Sequence, residues 1–175
     1  MFKYKILLIM DYLGLDRKDT QKVVDHMNIL LADYHIYYQK LRNFHWNVQG
    51  NSFFDLHNKF EELYNDARLV IDEVAERILT LRHRPLSTIN DYLGVAKVKE
   101  VDGQISDHEM VEEVLKDHKI LIEDLRATMR SADDAGDEGS TDLAAGVLKD
   151  IEKRSWMLDA WRTKGKTAPR ELVNN

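Results

Sequence analysis

Four long stretches of helical periodicity constrain the fold of this chain more than any other feature of its sequence. Between residues 19 and 48, and again between residues 53 and 81, apolar side chains recur at steps of three or four. Two further stretches with this period follow residue 106 and residue 141. The 175 residues include only two prolines and eight glycines, so little interrupts helices of this length. No stretch has convincing strand periodicity, and the pattern predicts an all-α four-helix bundle.

The ends of the predicted helices carry their own signals. Pro85 ends the second helix, and the cations of RHR, residues 82 to 84, suit the negative end of its dipole. A short extra helix is expected around residues 87 to 93, within the long connection between the second and third helices. Residues 106 to 109, SDHE, form a capping box that opens the third helix, and Thr141 is the expected cap of the fourth.

The composition excludes several classes of function. There is no cysteine, which excludes disulfides and thiolate metal sites and fits a reducing cytosol. The net charge of −6 argues against a general attraction to nucleic acid. No apolar run approaches the roughly 20 residues of a membrane helix, and the N-terminal segment lacks the cleavage site of a secretory signal. We therefore expect a cytoplasmic protein without membrane association, found in the nucleoid if it binds DNA.

The length of 175 residues suits a single domain. We assign residues 19–162 to a bundle domain, residues 1–18 to an N-terminal extension and residues 163–175 to a short polar C-terminal tail. Met10 is an alternative start of translation, which would place residues 1 to 9 upstream of the protein.

Side chains of metal-ligand type recur along the second predicted helix. At about 100° per residue, His57, Glu61, Asp72 and Glu76 fall within a strip about 100° wide beside the apolar face. His57 and Glu61 stand at i and i+4 and can share one ion, as can Asp72 and Glu76. His57 and Asp72, however, lie about 22 Å apart along a straight helix, which is too far for one ion to bind both.

The two pairs are therefore half-sites that another copy of the chain can complete. Two such helices packed antiparallel across a two-fold axis would join one copy's first pair to the other copy's second pair, giving two identical sites. Imidazole and carboxylate ligands without thiolate suit iron, with manganese and zinc as alternatives, and open positions on the ion favour redox chemistry. A solvated helix face is the alternative explanation for carboxylates at this spacing.

The chain resembles the Dps family of mini-ferritins, the DNA-binding proteins from starved cells, over about residues 20 to 162. The resemblance rests on the segments NFHWNVQGNSFFDLHNKFEELYND and IDEVAERIL, and also on DDAGDEGSTD and WMLDAW. It implies a ferritin-like four-helix bundle with a short helix in the second-to-third connection, assembled into a homo-dodecameric shell. No glutamate is followed by a histidine three residues later, which separates the chain from ordinary ferritins.

The resemblance also implies a ferroxidase centre at each two-fold interface. His45 and His57 would come from one subunit, and Asp72 and Glu76 from its neighbour. These four residues form the expected catalytic set, and Glu61 matches a position that supplies a supporting acidic ligand. The substrates implied are Fe(II) and hydrogen peroxide.

Further roles follow from the resemblance alone. Trp46, next to His45, matches an aromatic residue that donates an electron and quenches radicals, with plain packing as the alternative. Asp133 and Asp142 match acids that line three-fold pores, where a ring of carboxylates concentrates cations. The remaining histidines that lack a partner at ligand spacing are expected to be structural or exposed: His26, His35, His108 and His118.

The expected function is ferroxidase activity with iron storage, in which peroxide oxidises Fe(II) and the ferric product is deposited inside the shell, protecting against oxidative damage. A nucleoid-associated DNA-binding protein with little iron role is the alternative. It draws on the cations near the C-terminus, namely Arg162, Lys164, Lys166 and Arg170, and is opposed by the negative net charge. A four-helix signalling or scaffold protein without metal is a third alternative, which the repeated ligand pairs disfavour.

Overall fold

Each of the four periodic stretches forms one long helix in the computed structural model, which describes residues 12–163. The expectations about Met10 and about the cations from residue 164 onward fall outside these residues. The helices are α1 (Thr20–Asn47), α2 (Phe53–Thr80), α3 (Ile89–Val95), α4 (Asp107–Asp134) and α5 (Glu138–Arg162). Within residues 12–163 there is no strand. The predicted all-α bundle with a short extra helix in the crossover is confirmed.

The apolar stripes of the long helices meet in a common core. α1 packs against α2, α3 and α4, and α4 packs against α5. Burial of one large apolar side chain contributes about 1.5–3 kcal/mol, so this core supplies most of the drive to fold. The largest completely buried side chains are Phe44, Phe60, Met27, Leu30, Leu31, Leu41, Leu56, Leu63, Ile78, Met110, Leu121 and Leu125.

The turn between α4 and α5 is shorter than predicted, and the prediction that Thr141 caps the last helix was wrong. Asp137 is the N-cap, and its side chain accepts a hydrogen bond from the Ser140 amide at 3.0 Å. Gly136, at φ 65°, provides the left-handed residue that ends α4. Aspartate caps a helix at least as well as threonine, so the first suitable residue after the glycine starts the helix.

The capping box that opens α4 is confirmed, because Ser106 and Glu109 exchange both hydrogen bonds.

Residues 82 to 84 were expected to place cations at the negative end of the α2 dipole, and this expectation is wrong for His83. This side chain is 8% exposed, and its Nε2 lies 3.2 Å from the Thr20 hydroxyl oxygen. Burial, assisted by the charge of Arg17, lowers the pKa of His83 below its ordinary value. The His83 ring is therefore neutral. It packs the end of α2 against α1 and adds no positive charge at the C-terminus of α2.

Polar side chains of α1 hold the long crossover against the bundle. They satisfy backbone groups of a segment that has few of its own hydrogen bonds. Asn28 accepts from the Leu86 amide at 2.9 Å, Asp33 accepts from the amides of Lys97 and Val98 at 2.6 and 2.7 Å, and Asn43 donates to the Val101 carbonyl at 3.0 Å. These contacts fix the position of α3, whose exposed side includes Ile89, Leu93 and Val95.

Asp33 also forms a buried carboxyl pair with Asp124 of α4. The two carboxyls lie close enough to form a hydrogen bond once one of them is protonated, and Lys97 forms an ion pair with Asp124. Within the described chain, Asp33 Oδ2 and Asp124 Oδ2 are buried and accept no hydrogen bond from a neighbouring donor. Burial, and next the hydrogen bond with Asp124, raises the pKa of Asp33 to about 7. Below about pH 7, Asp33 therefore holds a proton that it can donate to Asp124.

The proton on Asp33 predicts an unusual pH dependence of stability. In the unfolded chain, Asp33 releases its proton at about pH 4, whereas in the folded protein Asp33 holds it up to about pH 7. The free energy of unfolding therefore falls as the pH rises between these two values. In Asp33→Asn, the amide oxygen still accepts from the two backbone amides, and the amide nitrogen donates to Asp124. We expect the Tm of this variant to fall less than that of the parent between about pH 5 and about pH 8.

Calorimetry at a fixed protein concentration measures this difference. Asp25→Asn removes an exposed carboxylate from the same helix and serves as the control, whose pH profile should follow the parent's. Parallel profiles for Asp33→Asn and the parent would show that the carboxyl pair holds no extra proton.

Candidate metal centre

His45 and His57 stack on each other where α1 ends and α2 begins. Their ring centroids are 3.8 Å apart with an interplanar angle of 23°. His45 Nδ1 lies 2.8 Å from the His57 carbonyl oxygen, and His57 Nδ1 lies 2.9 Å from the His45 carbonyl oxygen. The intervening turn includes Gly50 at φ 96°, a conformation that glycine adopts without strain. The turn thus folds α2 back so that the two histidines face each other.

These reciprocal hydrogen bonds define the tautomer of both rings. A carbonyl oxygen only accepts, so each Nδ1 carries the hydrogen and donates it. Nε2 is then the ring nitrogen that remains for a metal ion, which binds the neutral form of imidazole. The fixed ring orientation is what a hydrogen bond to the second nitrogen gives a histidine ligand. The arrangement is a preorganised pair of nitrogen donors.

Glu61 lies one turn after His57 on α2 and is exposed. The Tyr64 hydroxyl donates to its carboxylate at 3.3 Å, and the Tyr64 ring meets the His45 ring edge-on with centroids 5.4 Å apart. Sequence reasoning did not identify Tyr64, which it assigned to the apolar stripe. A tyrosine one helical turn after an acid of ligand type was the available signal.

Asp72 and Glu76 lie farther along the same unbroken helix and are exposed. Leu69 and Leu79 lie on the same strip of α2, and 51% and 57% of these side chains are accessible. Among residues 12–163 of one chain, no three side chains of histidine, aspartate or glutamate lie close enough together to hold a metal ion. The carboxylate pair is thus flanked by apolar side chains that lack cover in the single chain.

The structure brings His45 and His57 together and keeps Asp72 and Glu76 on a distant part of α2. From spacing alone, His57 was paired with Glu61, and only the family resemblance joined His45 to it. That all four side chains bind iron jointly stays a prediction. Trp46 is 58% exposed, and its ring lies against Arg42, with the guanidinium carbon 4.8 Å from the ring centroid.

The two predicted pore acids stand on either side of the α4–α5 turn. Asp133 lies in the last turn of α4 and Asp142 near the start of α5, and both are exposed. Asp142 also lines a groove between α2 and α5 together with the acids Asp66, Glu73 and Asp150. Their role in a pore stays a prediction.

Arg77, which follows Glu76 on α2, anchors this turn. Its Nε donates to the Ser140 hydroxyl at 3.0 Å, and its guanidinium forms an ion pair with the N-cap Asp137. A Cβ at Gly139 would lie 2.7 Å from the guanidinium, so any other residue here would displace the Arg77 side chain from this position. Glu76 of the carboxylate half-site and Arg77, which holds the acidic turn, are therefore adjacent residues of α2.

The histidines without ligand spacing have other partners. His118 is buried, with its Nε2 2.7 Å from the Tyr37 hydroxyl and its Nδ1 2.8 Å from the Ser155 hydroxyl, and burial lowers its pKa to about 3. His26 contacts the Ser131 hydroxyl at 3.0 Å, and His35 stacks on Tyr92 with centroids 3.9 Å apart. His108 is exposed beside Trp161.

Comparison with known proteins places these features in a family. The family model described as a ferritin-like domain matches residues 24–168. General stress protein 20U of Bacillus subtilis is 39% identical over 142 residues, which cover 81% of this chain and 98% of that protein. DNA protection during starvation protein 2 of Bacillus anthracis is 38% identical over 142 residues, covering 81% of this chain and 97% of its own length.

Solved structures agree with this result. The Dps protein of Vibrio cholerae O1, described as a member of a broad superfamily of ferritin-like diiron-carboxylate proteins, superposes with a TM-score of 0.84 at 41% identity. The match covers 87% of this chain and 96% of that one. A Dps protein of Bacillus brevis superposes with a TM-score of 0.80 at 40% identity, over 82% of this chain and 97% of its own.

Fold and sequence similarity together define a ferritin-like protein. Within this class, the chain belongs to the Dps family. Among the described helices, none has both the length and the apolar character needed to span a membrane.

Proposed function

We propose that this protein is a ferroxidase and iron-storage protein that oxidises Fe(II), preferably with hydrogen peroxide, at a site shared by two subunits of a dodecamer. The observation that carries the proposal is the His45–His57 pair, whose hydrogen bonds through Nδ1 leave both Nε2 atoms as the ring nitrogens available to a metal ion. Two neutral nitrogen donors alone are an incomplete site for iron. Asp72 and Glu76 supply the missing carboxylates, and they do so from the neighbouring subunit, because α2 separates even Asp72, the nearer of the two, from His57 by about 22 Å.

The exposed surface of α2 supports association of two copies. Leu69 and Leu79 flank the carboxylates on one strip, and exposed apolar side chains in line with polar ligands mark a surface that another protein covers. The exposed residues Ile89, Leu93 and Val95 of α3 add apolar surface of the same kind. A two-fold interface through this strip creates two equivalent iron sites, each with histidines from one copy and carboxylates from the other.

The residues divide the work of oxidation between them. The imidazoles bind Fe(II) without adding charge, and the carboxylates of Asp72 and Glu76 offset the extra positive charge of Fe(III) as it forms. Glu61 supplies a further oxygen ligand next to His57. One peroxide accepts one electron from each of two Fe(II) ions and, with two protons, becomes two water molecules. Consuming peroxide and Fe(II) together prevents formation of hydroxyl radicals.

Iron reaches and leaves the site along acidic surfaces. Asp133 and Asp142 attract Fe(II) at the three-fold pores, since converging carboxylates focus the local potential. Residues 19–162 are the assembling unit of the shell, whose cavity receives the ferric mineral. Zinc or manganese is expected to compete for the same ligands. A cytoplasmic location follows for a protein that consumes Fe(II).

Light scattering followed by anaerobic Fe(II) titration tests this function. We expect a particle of about twelve 20.5 kDa chains, which oxidises about two Fe(II) per peroxide added, and faster with peroxide than with dioxygen. A stable monomer, or iron oxidation no faster than in buffer, would refute the proposal. A dodecamer that retards DNA at about 150 mM salt without oxidising iron would instead favour the DNA-binding alternative.

A further inference from the structure

A pocket with a volume of about 210 Å³ opens between α2 and α5. Its floor is apolar, because Leu56, Leu63 and Leu158 line it and are almost completely buried. Met157 and Trp161 of α5 complete the apolar lining and are more exposed than the floor. The pocket is therefore an apolar recess that a small molecule can enter from solvent.

The volume of the pocket limits the size of its ligand. A cavity of about 150 Å³ lined by apolar side chains stays dry and binds benzene. At 210 Å³, the pocket has room for one aromatic ring with a small substituent. The lining also suits an aromatic ring, because Trp161 offers a ring for offset or edge-on contact and the Met157 sulfur makes favourable contacts with ring edges.

Two cations stand at the edge of this apolar lining. Lys59 of α2 and Arg154 of α5 both line the pocket, and ion pairs with Glu62 and Asp66, respectively, anchor them. Arg154 Nη2 lies 2.7 Å from the Asp66 carboxylate, and a guanidinium has further N–H donors that can bind a second carboxylate. Among the described residues that line the pocket, Asp55 is the only acid, and it is exposed. The charge at the edge therefore favours an anionic group on the ligand.

The pocket lies on the face of α2 opposite to the metal-ligand strip. At about 100° per residue, the α2 residues that line the pocket are centred about 160° around the helix from the centre of the strip that runs from His57 to Glu76. None of the residues of the candidate metal centre lines the pocket. A two-fold contact through the strip therefore leaves the pocket open.

We propose that this pocket binds a small aromatic carboxylate, with the ring between Leu63, Met157 and Trp161 and the carboxylate on Arg154 and Lys59. Arg154 determines the specificity, because a planar guanidinium matches a carboxylate with two parallel hydrogen bonds, whereas an ammonium group acts as a point charge. An amine of the same shape is repelled by the two cations, and a neutral ring gains contacts with the apolar lining alone. The site does not depend on the proposed ferroxidase function.

Fluorine NMR on the full-length, metal-free protein in its native assembly tests the class of ligand. The ligands compared are para-trifluoromethylbenzoate, para-trifluoromethylbenzylamine and the neutral para-trifluoromethyltoluene, which share one fluorinated ring. We expect the benzoate resonance to broaden on binding, with a Kd of about 1 mM or tighter. The amine and the neutral compound should bind at least about tenfold more weakly, because each lacks the charge-assisted hydrogen bonds to Arg154.

The methyl resonance of Met157 locates the bound ligand. In protein labelled at its methionine methyl groups, this resonance is identified by its loss in Met157→Leu. We expect the resonance to shift in the parent as the benzoate is added, with the Kd that the fluorine signal gives. The resonance of Met27, which is completely buried in α1, should not move.

Arg154→Gln removes the guanidinium and should weaken benzoate binding at least about tenfold, while the neutral compound binds as it does to the parent. Lys153→Gln removes one positive charge from the exposed neighbouring position and is the matched control, which should keep the parent affinity. Light scattering confirms that both variants assemble like the parent. The comparison of the three compounds on the parent needs no substitution, so it remains decisive if Arg154→Gln fails to assemble.

Four results would overturn the proposal. They are equal binding of the three compounds, a Met157 resonance that does not move, parent affinity in Arg154→Gln, and equal weakening by Arg154→Gln and Lys153→Gln, which would indicate a general attraction of anions to the surface. Since the compounds bind without iron, a failure of the ferroxidase function would leave each of these results interpretable.

Discussion

Shells assembled from an equal mixture of His45→Ala and Asp72→Ala chains are expected to recover about a quarter of the parent rate of Fe(II) oxidation. Either variant alone should recover almost none. The reason is geometric, because His45 and Asp72 lie at distant points of one chain and each iron site takes one of them from each subunit. A mixed dimer then has one intact site and one site that lacks both residues.

The expected fraction follows from random pairing. Half of the dimers in an equal mixture are mixed, and each holds one good site of two, which gives about a quarter of the parent activity. The matched control mixes His45→Ala with His57→Ala. These substitutions affect the same half-site, so no pairing restores an intact histidine pair and no activity should return. A mixed-tag pull-down after joint dissociation and reassembly confirms that chains have exchanged.

Neither substitution should disturb the fold. His45 is half-buried at the end of α1, and Asp72 is exposed on α2, so truncation leaves no large apolar cavity. Oxidation that stays absent after confirmed exchange would overturn the shared site. A site built from the residues of a single chain predicts no recovery of oxidation in the mixed shells. The experiment therefore decides between the two arrangements.

The sequence predicts the long helices well because their periodicity is local information. Helix α1 was expected over residues 19 to 48 and spans Thr20–Asn47, and α2 was expected over residues 53 to 81 and spans Phe53–Thr80. The separation of His57 from Asp72 was equally predictable, since it depends only on the rise per residue of an unbroken helix.

Contacts across the turn between helices were not predictable in this way. The stacking of His45 on His57 depends on the fold of residues 48 to 52, and the burial of His83 depends on Thr20 of another helix. Tyr64 was hidden in an apolar stripe, although its hydroxyl and ring reach two residues of the candidate site. These features follow from tertiary packing, which a helical wheel does not contain.

Buried polar pairs set the alignment of α1 and α4, and helical periodicity did not predict these pairs. His26, Asp33 and Lys40 follow one another on α1 at heptad spacing. They contact Ser131, Asp124 and Asp117, which run in the opposite order along α4 at the same spacing. Each pair meets only in this register, and a shift of one turn would separate these buried polar groups from their partners. The pairs thus fix how two long antiparallel helices align.

The Lys40–Asp117 pair provides the strongest test of this register. Nζ lies 2.8 Å from the carboxylate, and both side chains are almost completely buried. Lys40→Met is expected to destabilise the protein by about 3–5 kcal/mol at neutral pH, because it leaves a buried carboxylate without its cation. The double variant Lys40→Met with Asp117→Leu should recover most of this loss, since an apolar pair of similar volume needs no compensating charge.

The loss in Lys40→Met should also depend on pH. Burial already raises the pKa of Asp117 to about 6 against the opposing effect of Lys40, so removing the lysine raises that pKa further. Below the raised pKa, the folded carboxyl binds a proton that the unfolded chain has released, and stability falls as the pH rises toward it. Calorimetry should therefore give a larger loss of Tm at about pH 8 than at about pH 5. A double variant as unstable as Lys40→Met would show that the ion pair itself, beyond the register, stabilises the fold.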